Sequence, residues 1–124
     1  MKKILISFAF LLISVVNAIA QSSDVIVGNW YSKELSGSTM HVYRTKSGKW
    51  AAQLTASEKK EWIGKILFDD CTFDSKDNCY KTVLAPPNQP FKINTKIYIT
   101  EGSLTMVGKK LFLSKTFYWI KLNN

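Results

Sequence analysis

The chain has 124 residues, a formal net charge of +8 and two cysteines, and 46% of its residues are hydrophobic. That composition excludes a disordered, collagen-like or multiply disulfide-stapled chain, and the length accommodates one domain.

The first twenty residues fall into three parts. Met1-Lys2-Lys3 is positive, and residues 4–16 are apolar apart from Ser7 and Ser14. Ala18-Ile19-Ala20 then offers the small residues that a signal peptidase requires. The apolar run is about 13 residues, whereas a spanning helix needs roughly 20. A cleavable signal peptide over residues 1–20 is therefore expected rather than a membrane anchor. No cysteine follows the run, so no lipoprotein anchor is expected, and no later stretch reads as a membrane span. The working domain is expected to be residues 21–124, monomeric and either periplasmic or secreted in a bacterium. It keeps fifteen basic and nine acidic residues, a net +6. Such an excess suits anionic surfaces, lipid headgroups or acidic glycans among them, but the expected reading is a plain solubilising surface. The lysines are scattered and Arg44 is the single arginine, so no nucleic acid partner is expected.

Beyond Gln21, short segments rich in β-branched and aromatic residues alternate with turn residues, a strand pattern. Residues 27–32 form the first predicted strand, and Leu35-Ser36-Gly37 turns the chain into residues 38–45. Ser47-Gly48 turns it again into 49–55, where Trp50, Ala52 and Leu54 share a face. Residues 57–61 form a polar link, with at most one helical turn over 57–62. Residues 62–68 then place Trp62, Gly64, Ile66 and Phe68 on one face. A polar turn region over 69–78 precedes the strand 79–84. The run Ala85-Pro86-Pro87-Asn88-Gln89-Pro90 cannot be a central strand. Residues 91–99 alternate most clearly, with Phe91, Ile93, Ile97 and Ile99 opposite Lys92, Asn94 and Lys96. Residues 104–107 and 111–122 complete eight predicted strands. Such a meander removes its exposed edges by closing into an all-β, eight-stranded antiparallel up-and-down barrel.

Gly28-Asn29-Trp30 on the first strand resembles the opening signature of lipocalin and calycin barrels. The resemblance extends over residues 26–122 to a family of small exported bacterial lipocalin-like proteins of unknown function. It is carried by Ile26-Val27-Gly28 and Trp30, by Trp62, Gly64, Ile66 and Asp69, by Tyr80, and by Leu104, Gly108, Lys115, Thr116 and Trp119. The chain departs from that pattern at Lys65 and at Asp69-Asp70-Cys71, and it lacks a long arginine-rich loop. The resemblance implies a lipocalin-like barrel in which Gly28, Trp30 and Trp119 are structural. It also implies a basic residue of the last strand, Lys121 or Lys115, lying against Trp30.

Little catalytic chemistry is on offer. His41 is the only histidine, and general acid–base work needs a partner in reach. No Gly-x-Ser-x-Gly elbow is present. Asp69, Asp70, Asp74 and Asp77 match turn chemistry better than a calcium loop. No enzyme, cofactor or metal is therefore expected. Cys71 and Cys79 are expected to form a disulfide across a turn, with free thiols as the rival reading. The expected function is binding of a small apolar or amphipathic molecule inside the barrel. Trp50, Leu54, Trp62, Ile66, Ile93 and Ile97 are the candidate interior residues. The alternative is a protein-interaction or inhibitor module for an envelope protein, without a small ligand.

Overall fold

Short strands and tight turns favour pairing between sequence neighbours, and in the computed structural model each strand pairs with them. The structure describes residues 24–123. The expected signal peptide lies outside the described residues. The strands are β1 (Gly28–Ser32), β2 (Ser38–Arg44), β3 (Trp50–Ala56), β4 (Ile66–Asp74), β5 (Cys79–Leu84), β6 (Ile93–Thr100), β7 (Ser103–Lys110) and β8 (Leu113–Lys121). All neighbours are antiparallel, and β1 pairs with β8 through Trp30↔Lys121 and Tyr31↔Ile120, closing the barrel. One end collects residues 24–27 and the turns 45–49, 75–78 and 101–102. The other collects turns 33–37 and 111–112, the link 57–65 and the proline-containing loop 85–92.

Alternation decides which side chains enter. Met40 and Val42 of β2, Thr95 and Ile97 of β6, and Leu104 and Met106 of β7 are buried. All of these but Thr95 form one core cluster with Trp30, Trp50, Leu54, Phe68, Tyr80 and Trp119. An eight-stranded barrel is just wide enough for side chains to fill, and here they fill its middle.

The stretch 62–68 departs from the single strand expected. Trp62 closes a 3-10 turn, Lys60–Trp62, and is buried there. Gly64, at φ 95°, reverses the chain, and its N–H donates to Leu54 O at 2.7 Å. The β3–β4 register shifts twice, between Trp50 and Ala52 and between Ala52 and Gln53. Leu67 and Phe68 are consequently both buried, and Ile66 lies outside with 42% of its surface exposed. The expected interior position of Ile66 is thus overturned by a bulge, which shifts the facing of every residue beyond it. Nor is 69–78 wholly a turn: β4 runs on to Asp74, and only residues 75–78 turn.

The expected disulfide is absent, and both cysteines are buried free thiols. The hairpin register explains why. Cys79 pairs with Asp74, three residues along β4 from Cys71. That offset is about 10 Å along the strand, whereas bridged Cα atoms lie roughly 4.4–6.8 Å apart. Both thiols should be silent to Ellman's reagent in the folded protein and both should titrate in denaturant. An intact mass two hydrogens light would contradict this register.

Candidate functional site

The end carrying residues 24–27 is built around Trp30. Val27 N–H donates to Asp24 O at 3.1 Å, turning the chain so that Ile26 enters the barrel with no exposed surface. Trp30 Nε1 donates to Ile26 O at 2.9 Å. The Tyr80 phenol takes a backbone hydrogen bond from Ile26. Arg44 and Asp24 form an ion pair at 3.0 Å, both half-exposed, which adds little to holding the segment.

Lys121 faces Trp30 across the seam between β1 and β8. Its Nζ lies 4.7 Å from the Trp30 ring centroid and donates to Val27 O at 2.6 Å. Burial pulls its amine below the usual lysine range. Lys115, by contrast, stands over Phe117 at 5.2 Å. Gly28 makes the Lys121 contact feasible. A Cβ there would sit 2.4 Å from Lys121 Nζ, and its φ of 137° is one that side chains rarely adopt. Gly28→Ala should cost about 1–3 kcal/mol of stability, mainly from the backbone. Urea unfolding measures this, and an unchanged midpoint would show that the close approach has no consequence.

Beside the plugging segment lies an open cavity of about 620 Å³. Trp30, Tyr80, Phe73, Ile97 and Ile99 line its apolar side, and Asp24, Glu101 and Lys121 bring charge to it. Tyr80 is held edge-on by Trp50 at 5.3 Å and by Phe73 at 5.0 Å. Burial raises its phenol above the ordinary tyrosine value, so it remains neutral at physiological pH. The opposite end is nearly solid: the void under Pro86 and Pro87, against Trp119, is about 20 Å³. That is room for a single water.

Of the interior candidates, Ile97 lines the cavity and Trp50 stands behind Tyr80. Leu54 and Trp62 are core residues away from it, and Ile93 is half-buried near Gly108 at the other end. Sequence reasoning missed Phe73 and the segment 24–27 as cavity residues. Phe73 was hidden inside a supposed turn, and nothing local shows that residues 24–27 lie across the barrel.

The remaining polar candidates point outward. His41 Nδ1 lies 3.0 Å from Asn29 Oδ1 and its ring stacks on Tyr43. Asp70 pairs with Lys49 at 2.5 Å, while Asp74 and Asp77 both pair with Lys81 at 2.7 Å. Lys81 holds the Asp74 carboxyl below the ordinary aspartate value. No three His, Cys, Asp or Glu side chains among the described residues are grouped to hold a metal. A groove on the outer face of β5–β7 carries Val83, Tyr98 and Val107 beside Lys81, Lys96 and Lys109. Its Lys81 is already neutralised by the two aspartates.

These features define a closed up-and-down β-barrel with a filled middle and one open, aromatic-floored mouth. Compared with known proteins, the chain matches no family model, no curated protein and no solved structure.

Proposed function

We propose that this is an exported, non-catalytic binding module that takes a small amphipathic molecule into the mouth beside Trp30. The observation that carries the reading is the cavity of about 620 Å³, floored by aromatic and isoleucine side chains with Lys121 at its edge. Ligand sites usually have volumes of roughly 300–1,000 Å³, mostly apolar with a few polar groups that fix orientation. An apolar body would pack on Tyr80, Phe73 and Ile99, and a polar head would meet Lys121, Asp24 or Glu101. The site is at the mouth rather than deep in the barrel, because Trp50, Leu54 and Met106 occupy the middle. The resemblance to lipocalin-like proteins agrees with this reading, since Lys121 lies over the tryptophan of the Gly28-Asn29-Trp30 segment. The leader-like residues 1–20 agree with export. The protein-docking alternative is weaker, because the outer groove has lost much of its free charge to Asp74 and Asp77.

Two measurements test the reading together. Native mass spectrometry of protein recovered gently after export should show a reproducible small-molecule adduct released on denaturation. Anilinonaphthalene sulfonate, an apolar anion, should bind the barrel and lose at least about tenfold affinity in Ile99→Trp, which fills the mouth. A clean apo mass together with dye binding that Ile99→Trp leaves unchanged would rule out the mouth as a ligand site.

A further inference from the structure

The end of the barrel away from the mouth carries a feature that folding alone does not explain. β7 and β8 are joined by a two-residue connection, Leu111-Phe112, closed by the pair Lys110↔Leu113. Leu111 is 89% exposed, Phe112 92% and Leu113 68%. Two-residue hairpin connections favour Asn, Asp or Gly, because the first position needs positive φ. Leu111 occupies it at φ 57°. A polar turn would relieve that backbone and also remove two large apolar side chains, Leu111 and Phe112, from water.

Cations surround the tip. Lys109, Lys110 and Lys115 lie on the same hairpin, and no acidic residue follows Glu101 in the sequence. Lys110 Nζ sits 3.6 Å from the ring centroid of Phe91, itself 37% exposed. Phe91 and Lys92 thus extend the same apolar and basic surface. The last seam pair of β8 with β1 is Tyr31↔Ile120. The hairpin therefore runs on past β1 before it turns. One nearby carboxylate, Glu34, is engaged by the Tyr118 backbone N–H.

We propose that the β7–β8 tip inserts into the surface of an anionic lipid bilayer. Leu111, Phe112 and Leu113 enter the acyl boundary, while Lys109, Lys110 and Lys115 remain at the headgroups. Long lysine side chains suit this arrangement because their stems lie along apolar surface while the amines stay wet. Charge selects lipid over a second copy of the chain. Tip-to-tip contact would crowd Lys92, Lys109, Lys110 and Lys115 from each copy, whereas anionic headgroups neutralise them. A bilayer also needs no matching pocket for Leu111 and Phe112. The cavity lies at the opposite end, so a docked barrel would hold its mouth toward solvent. This proposal does not depend on the cavity being occupied.

Co-sedimentation with phosphatidylcholine vesicles, with and without phosphatidylglycerol, tests it. The chain starting at Gln21 suits the assay, because all eight strands and the whole core cluster lie within it. Binding should require phosphatidylglycerol and weaken with salt. The variant L111N/F112G places the favoured Asn-Gly pair in the turn. It should match or exceed the wild type in thermal stability yet bind at least about tenfold more weakly. Lys109→Gln, Lys110→Gln and Lys115→Gln should each lower binding roughly fivefold. Vesicle binding unchanged in L111N/F112G would overturn the proposal, as would equal binding to neutral and anionic vesicles. So would a wild type that ignores vesicles but self-associates, or binds an acidic protein, through the tip.

Discussion

Trp30→Ala is expected to remove about 3–5 kcal/mol of stability, the usual range for truncating a buried tryptophan. Trp30 is 1% exposed and sits where the barrel closes, paired with Met40 on β2 and Lys121 on β8. Its indole donates to Ile26 O and carries Lys121 Nζ above its face. The truncation therefore opens a cavity, frees the segment 24–27 and loosens the seam. Domains of this size have about 5–15 kcal/mol in total, so much of the barrel's margin would go. Urea unfolding followed by far-ultraviolet circular dichroism gives the cost. Trp30→Phe keeps most of the ring and loses the Ile26 bond, so it should cost distinctly less. If Trp30→Ala unfolded at the wild-type midpoint, the closure described here could not rest on Trp30.

The strand pattern was legible because alternation along β2, β6 and β7 is uninterrupted. Ile97 enters while Asn94 and Lys96 point out, as the sequence pattern of 91–99 predicts. Eight strands and their meander order follow from punctuation at Gly37, Gly48, Pro86 and Gly102, which sit in or beside the connections. Reading failed where the chain slips register. Ile66 and Phe68 share a parity in sequence, but the shifts opposite Ala52 leave only Phe68 buried. The cysteines failed for a different reason, in a hairpin whose register is regular: a seven-residue spacing does not reveal which residue of β4 faces Cys79.

The candidate site was less legible than the fold. The mouth is assembled from residues 24–27, the β4–β5 hairpin, the β6–β7 turn and the end of β8. No local pattern links these segments, and barrel closure alone brings them together. Their proximity depends on Trp30↔Lys121, a pairing between strands about ninety residues apart. The tip at the other end is different, because its whole peculiarity is local. Even so, the strands expected over 104–107 and 111–122 put the turn before Leu111, whereas β7 runs on to Lys110 and Leu111-Phe112 is the connection.

Stability should fall steeply in alkali, and Cys71 should account for a large share of the fall. Cys71 is fully buried, and burial first, then the negative charge of Asp70, pushes its thiol up from 9.0 to about 12. Tyr80, 2% exposed, is raised in the same direction, chiefly by burial, with the Ile26 hydrogen bond opposing. Both groups are neutral when protonated, and the folded barrel holds those protons more tightly than the unfolded chain does. Their contribution is therefore fully present below the unfolded values and is lost as pH rises toward the folded ones. A rise of three pH units corresponds to about 4 kcal/mol for Cys71, withdrawn between about pH 9 and pH 12. Tyr80 adds to the loss from the ordinary tyrosine value upward. The Lys81 amine, held above the usual lysine value by hydrogen bonds to Asp74 and Asp77, loses its proton only at still higher pH, and that pair is common to both variants. Cys71→Ala should thus begin somewhat less stable at neutral pH, by about 1 kcal/mol, and then lose less on the way up. The two unfolding free energies should converge and cross as the pH climbs. Parallel curves for wild type and Cys71→Ala across that window would mean that the thiol ionises without opposing the fold, and the buried placement of Cys71 would have to be abandoned.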